Sequence, residues 1–226
     1  MNYIVLDLEF NNPFEIDNIT KRFKKVKPNL IMPQEIIEIG AVKLDNKFKF
    51  IDSFQIFIKP QLYKKLHPNV KRKTKISNKD LYDALYINEC IDSFIKWIGK
   101  DYILCTWSSG DIFTLENNCV FYNINTNWID KYIDIQYIYS IQNKIDKQES
   151  LKNAVKFYKI EINNKMHRAL NDAIYESEII KYLDKDIINQ NIMRLKDFKC
   201  QFKNDVVYGL KCALELLRWE DNNKYE

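Results

Sequence analysis

The sequence predicts an α/β domain, a mixed β-sheet flanked by helices. Three observations carry this. Extended apolar segments open the chain. After about residue 78 the apolar period switches from strand-like to helical. From there helices alternate with single short strands, as in layered α/β folds.

The elements follow in order. "YIVLDL" (3–8) is a run of β-formers and reads as a buried strand. Residues 12–35 are polar, basic and punctuated by Pro13, Pro28 and Pro33, and read as a long loop with room for a short helix. "IIEIGAVKLDN" (36–46) and "FKFIDSFQIFIKP" (48–60) read as two strands joined by a turn at Asp45-Asn46. "NKDLYDALYINECIDSFIKWIG" (78–99) repeats apolar residues every three or four positions, which predicts two short helices. "YILCTW" (102–107) is a fourth strand, and "DIFTLENNCVFY" (111–122) a helix after it. "WIDKYIDIQYIYSIQ" reads as a short extended piece and then a helix. Ser150 is placed to cap a helix over 150–160. A further helix is expected over 167–183, with Leu170, Ala173, Ile174, Ser177, Ile180 and Leu183 on one face. "VVYGLKCALELLRW" (206–219) has a helical pattern again, so residues 185–226 are expected to form a C-terminal helical extension to a domain over 1–184.

Composition narrows the function classes. A chain of 226 residues suits one domain with a real core. It is 46% hydrophobic and 29% charged, ordinary for a globular protein, and no apolar run reaches the length of a membrane span. Five scattered cysteines (90, 105, 119, 200 and 212) form no CxxC pair, which argues against a disulfide framework or a zinc site. With no signal-peptide pattern at the N-terminus, a cytoplasmic location is expected. The net charge of +4 is mild, but "KRFKKVK" (21–27) and "KRKTK" (71–75) concentrate basic side chains where phosphates can be met.

The acids are more informative. Asp7 and Glu9 lie two apart in a strand, so both point to one face, where like charges repel. Asp111 follows a strand and a Ser-Ser-Gly turn, the place where ligands bind in open α/β sheets. Asp172 follows His167 by five residues, and the chain has two histidines in all. Each alone has a plain reading as an exposed strand end, a helix cap or a surface residue. Their order along the chain is distinctive.

"LDLEF" (6–10), "WSSGD" (107–111) and "HRALNDA" (167–173) resemble the three motifs of the DEDDh 3′–5′ exonucleases. The likeness extends from about residue 3 to 184 through "EIIEIGAV" (35–42), "SFQIFIKP" (53–60) and "SLKNAV" (150–155). It looks most like the branch of ERI-type RNA exonucleases and KapD-like bacterial sporulation inhibitors. Ser108 departs from the glycine that usually follows the Trp, and the last forty or so residues match nothing in the family pattern.

The resemblance implies a ribonuclease H-like fold. It also implies two divalent cations, Mg²⁺ or Mn²⁺, held by Asp7, Glu9, Asp111 and Asp172. His167 is then the general base, and Phe10 and Leu8 contact the substrate. All-oxygen donors suit these hard cations, and a cation pair accounts for two carboxylates on one strand face. The expected substrate is the 3′ end of single-stranded nucleic acid, RNA before DNA. A DNA-directed proofreading exonuclease and a catalytically idle RNA- or protein-binding adaptor stay open at this point.

Overall fold

The computed structural model of the chain describes residues 1–197, apart from 18, 21 and 22. β1 (Asn2–Asn11) is the central strand. Its alternation sends Ile4, Leu6 and Leu8 into one apolar cluster and Tyr3 and Val5 into another, so both faces are covered. Residues 12–34 hold a small antiparallel hairpin, β2 (Phe14–Ile16) and β3 (Phe23–Lys25), where a loop with a short helix was expected.

β4 (Glu35–Leu44) and β5 (Phe50–Phe57) form the expected hairpin. Asp45 closes its turn by accepting from the Lys47 and Lys49 amides at 2.7 and 2.9 Å. The basic run at 71–75 ends a short helix, α1 (Pro68–Thr74), which the sequence reading missed. Pro68 starts α1, and Lys71, Arg72 and Lys73 sit in its last turn, where cations suit the helix dipole.

The stretch 78–99 gives one helix, α2 (Ile87–Ile98), rather than two. Its first part is spent on a turn closed by Asp80 and on a bridge from Leu85 to Ile58. β6 (Tyr102–Thr106), α3 (Ser109–Phe121), β7 (Lys131–Asp134) and α4 (Ile135–Asn143) follow as read. α5 (Leu151–Phe157) is capped by Ser150, which accepts from the Asn153 amide at 3.2 Å. α6 (Ala169–Ile179) starts two residues later than expected and runs into a 3₁₀ turn, Ile180–Tyr182. α7 (Lys185–Gln190) and β8 (Met193–Arg194) complete the described chain. Ile188 and Leu195 are buried against the rest, and Arg194 pairs with Asp130 at 2.7 Å. The helix expected over 206–219 lies outside the described residues.

The sheet order is β5-β4-β1-β6-β7-β8. β4 runs antiparallel to both of its neighbours, β5 and β1; β1, β6 and β7 are parallel, and β8 returns antiparallel. This is the mixed sheet of the ribonuclease H-like fold. α2 and α3 cover one face with Ile91, Phe94, Ile112 and Leu115. α4, α5 and α6 cover the other with Ile138, Val155, Ala173 and Ile179. Cys90, Cys105 and Cys119 are buried free thiols. Among the described residues no helix is long and apolar enough to cross a membrane.

Candidate active site

The carboxyl ends of β1, β6 and β7 open at one edge of the sheet, and the expected acids gather there. Asp7 and Glu9 extend the face of β1 that carries Tyr3 and Val5, towards α6. Asp172 reaches the same place from the first turn of α6. Carboxylate oxygens of Asp7, Glu9 and Asp172 lie within 4.8 Å of one another. Asp111, in the first turn of α3, stands outside that trio, but its charge bears on Asp7 and Glu9.

Gly40 permits this approach. It pairs with Asp7 in the β1–β4 ladder. A Cβ there would fall 2.0 Å from the Leu170 amide nitrogen and 2.1 Å from the Ala169 carbonyl carbon. The α6 backbone therefore rests directly on β4, which sets Asp172 beside Asp7. The ladder shifts register just after Glu9, and such bulges commonly re-aim side chains near active sites.

His167 lies in the turn before α6 with φ +68°, a left-handed conformation. Its amide donates to Asp172 Oδ2 at 2.9 Å, so the H-x-x-x-x-D spacing closes a compact loop. His167 as a whole residue is exposed. The atoms packed around it, and then Lys73 and Lys152, hold its pKa below the usual imidazole value. Ser108 is extended (φ −140°) and caps α3 through Gly110, so no glycine is required after Trp107. Phe10 is half-buried against the core, whereas the Leu8 side chain is 4% exposed and packed inside it.

The charges crowd each other. Burial first, then the neighbouring acids, push Asp7 well above the ordinary carboxylate range. Burial with Asp172, Glu38 and Asp111 raises Glu9 to about 8. Burial with Asp134 and Asp172 raises Asp111 to about 7. Asp172 rises to about 6 through burial, against the pull of the His167 amide. Asp172 Oδ1 is buried with no hydrogen-bond donor. Orphaned oxygens, mutual repulsion and an all-oxygen donor set fit hard divalent cations.

Several supporting residues escaped the sequence reading. Glu38 faces Glu9 across the ladder and is fully buried. Arg168 neutralises it, with Nε at 3.2–3.3 Å and Nη2 at 2.9 Å, and Gln55 adds a bond at 2.5 Å. Asp134 accepts from the Ser109 amide and hydroxyl at 2.9 and 2.8 Å, fixing the turn that delivers Asp111. Glu176 lies one helical turn beyond Asp172. Its i+4 spacing was the available signal; the Glu38–Glu9 register had none.

The sequence profile of the RNase T exonucleases matches residues 4–180. The chain belongs to this exonuclease family. It is 25% identical over 189 residues to the probable 3′–5′ exonuclease KapD of Bacillus subtilis, covering 81% of this chain and 84% of that one. It is 27% identical over 154 residues to a PolC-type DNA polymerase III of Caldanaerobacter subterraneus subsp. tengcongensis, covering 67% of this chain and 10% of the polymerase. The nuclease domain of 3′hExo, a DEDDh family member bound to rAMP, superposes with a TM-score of 0.71 at 19% identity, over 85% of this chain and 96% of that domain. S. pombe Pop2p, in a form with Mg²⁺ and Mn²⁺ bound, gives 0.56 at 15% identity, over 80% and 81% of the two chains. The protein is thus a 3′–5′ exonuclease of the DEDDh type, an enzyme class that works with divalent metal ions.

Proposed function

We propose that this exonuclease trims the 3′ ends of single-stranded nucleic acid, RNA in preference to DNA, with two cations, Mg²⁺ or Mn²⁺, and His167 as general base. The observation that carries it is the convergence of Asp7, Glu9 and Asp172 within 4.8 Å, with Asp111 alongside. Bound cations would supply charge stabilisation at the scissile phosphate and a more acidic water. The protein's part is to hold those cations on four carboxylates and to keep an imidazole ready.

His167 suits the base role because its lowered pKa leaves it neutral, able to take a proton, at pH 7. Asp172 holds the His167 main chain, so base and cation site keep a fixed relation. The two lysines whose charge reaches His167, Lys73 from α1 and Lys152 from α5, put positive charge beside it that phosphates of a strand could meet. Phe10, next to Glu9, is the residue to stack on a terminal base. Leu8 would contribute through its main chain, since its side chain is inside the core. Residues 21–27 fall partly outside the described residues, so the basic helix α1 is the better-supported strand contact.

RNA preference is supported by neighbours bound to rAMP and to a histone mRNA stem-loop, at TM-scores of 0.71 and 0.70. The PolC-type relative favours DNA as a second reading. The test uses 5′-labelled single-stranded RNA and matched DNA with Mg²⁺, Mn²⁺ or EDTA, beside His167→Ala. A ladder shortening from the 3′ end, faster on RNA and lost in EDTA, is expected. Equal or faster DNA cleavage moves the reading to the proofreading type, and binding without cleavage to an idle adaptor.

A further inference from the structure

α6 carries a second acid whose position nothing above uses. Glu176 follows Asp172 by four residues, so the two share the helix face that packs on β1 and β4. It is 0% exposed, and neither carboxylate oxygen has a hydrogen-bond partner.

Two other buried glutamates show how such a group is ordinarily kept. Glu35 accepts from the backbone amides of Gln61, Leu62 and Tyr63 and from the Tyr122 hydroxyl. Glu38 is held by Arg168, Gln55 and the Ala169 amide. Glu176 has no such donors. The side chains acting on it are Asp111 from α3, Asp172 from α6, Asp134 from β7 and Asp7 from β1, with the Cys105 thiol of β6 also in range. The Trp107 amide pulls the other way without reaching hydrogen-bond geometry.

A carboxylate with no donor, buried among acids, is strongly disfavoured unless positive charge is brought to it. A cation on Asp7, Asp111 and Asp172 brings that charge. We propose that Glu176 is a fifth carboxylate of the metal centre, a positioning residue that stands behind Asp7, Asp111 and Asp172 and tightens their hold on the cations. This rests on the cation site proposed above. Glu176 touches no substrate, so its effect appears first in cation affinity. The expected size is that of other groups supporting metal ligands, roughly 10–100-fold.

The test is Mn²⁺ binding to the full chain, followed by EPR or calorimetry at one fixed pH. Wild type, Asp7→Asn, Glu176→Gln and Glu176→Met are compared. Gln keeps the shape and removes the charge; Met keeps the length and buries no polar atom, so it serves if Gln does not fold. Mn²⁺ affinity about 10–100-fold weaker in the Glu176 variants, with an unchanged circular-dichroism spectrum, is expected. Wild-type affinity in a folded Glu176 variant overturns the proposal and leaves the four-acid site standing. If wild type and Asp7→Asn bind alike, the cation site itself fails, which is a separate result.

Discussion

Two neighbouring places near one edge of the same sheet bury acids in opposite ways. At the start of β4, Glu35 is 2% exposed, and its oxygens meet three backbone amides at 2.6–3.1 Å and a tyrosine hydroxyl at 2.5 Å. Around Asp7, acids face acids, and Asp172 and Glu176 keep oxygens with no donor at all. The first arrangement is complete and ties the loop after β5 to the fold. The second is incomplete as a set of side chains, which is what a site built for an incoming cation requires. Burial of a carboxylate therefore distinguishes nothing; the presence or absence of donors does.

The contrast can be broken at either place. Asp7→Asn has the largest expected effect: 3′–5′ trimming falls to background and Mn²⁺ binding is lost, while the melting temperature without metal is kept or rises as repulsion is relieved. Labelled-strand assays and calorimetry on one preparation check both. If the variant trims at the wild-type rate, the site assignment is wrong. His167→Ala should lower the rate by roughly 10²–10⁴ with Mn²⁺ affinity retained, read from single-turnover trimming and a metal titration.

Glu35→Ala probes the completed arrangement. Removing the acceptor strands several donors, at a cost of about 3–5 kcal/mol in unfolding free energy. Urea denaturation measures it, and Mn²⁺ affinity at a temperature where the variant is folded should stay at the wild-type value. The smallest effect is the pH response. The folded-state values of about 6 for Asp172, about 7 for Asp111 and about 8 for Glu9 all lie above those of free carboxyls. The metal-free folded chain then holds more protons than the unfolded one. The stability these three groups contribute should be fully present below about pH 4 and decline as pH rises to about 8. Melting in EDTA should show this fall, and melting in Mg²⁺ should remove it. A melting temperature in EDTA that rises across this window would contradict the crowding of charge.

The residues legible in the sequence were those with local signatures. Asp7 and Glu9 announce themselves as acids in an apolar strand and Asp111 as a helix opener after a strand, while His167 and Asp172 gain meaning through the likeness of "HRALNDA" to a family motif. The strands β1, β4, β5 and β6 were legible from β-former runs, and the Ser150 cap from one hydroxyl before a helical pattern. What was hidden depends on pairing between distant segments. Glu38 meets Glu9 only through the β1–β4 register, and Arg168 reaches Glu38 from 130 residues away. β8 is two residues long, too short for any period, and exists because β7 offers an edge. On the expected face of the last helix Ala173, Ser177, Ile180 and Leu183 are buried, but Leu170 and Ile174 are half-buried while Asp172 and Glu176 lie inside. Apolar residues mark only part of the buried stripe of a helix that also buries acids.

The seating of α6 on Gly40 also bears on how the enzyme comes into being during synthesis. Asp7, Glu9 and Asp111 are translated early, whereas Asp172 comes on α6 and His167 in the turn just before it, late among the described elements. A ribosome-bound chain that has emerged only through α5 has three of the four candidate acids and lacks the histidine proposed as base. The acidic cluster is completed only when α6 docks, against a strand made more than a hundred residues before.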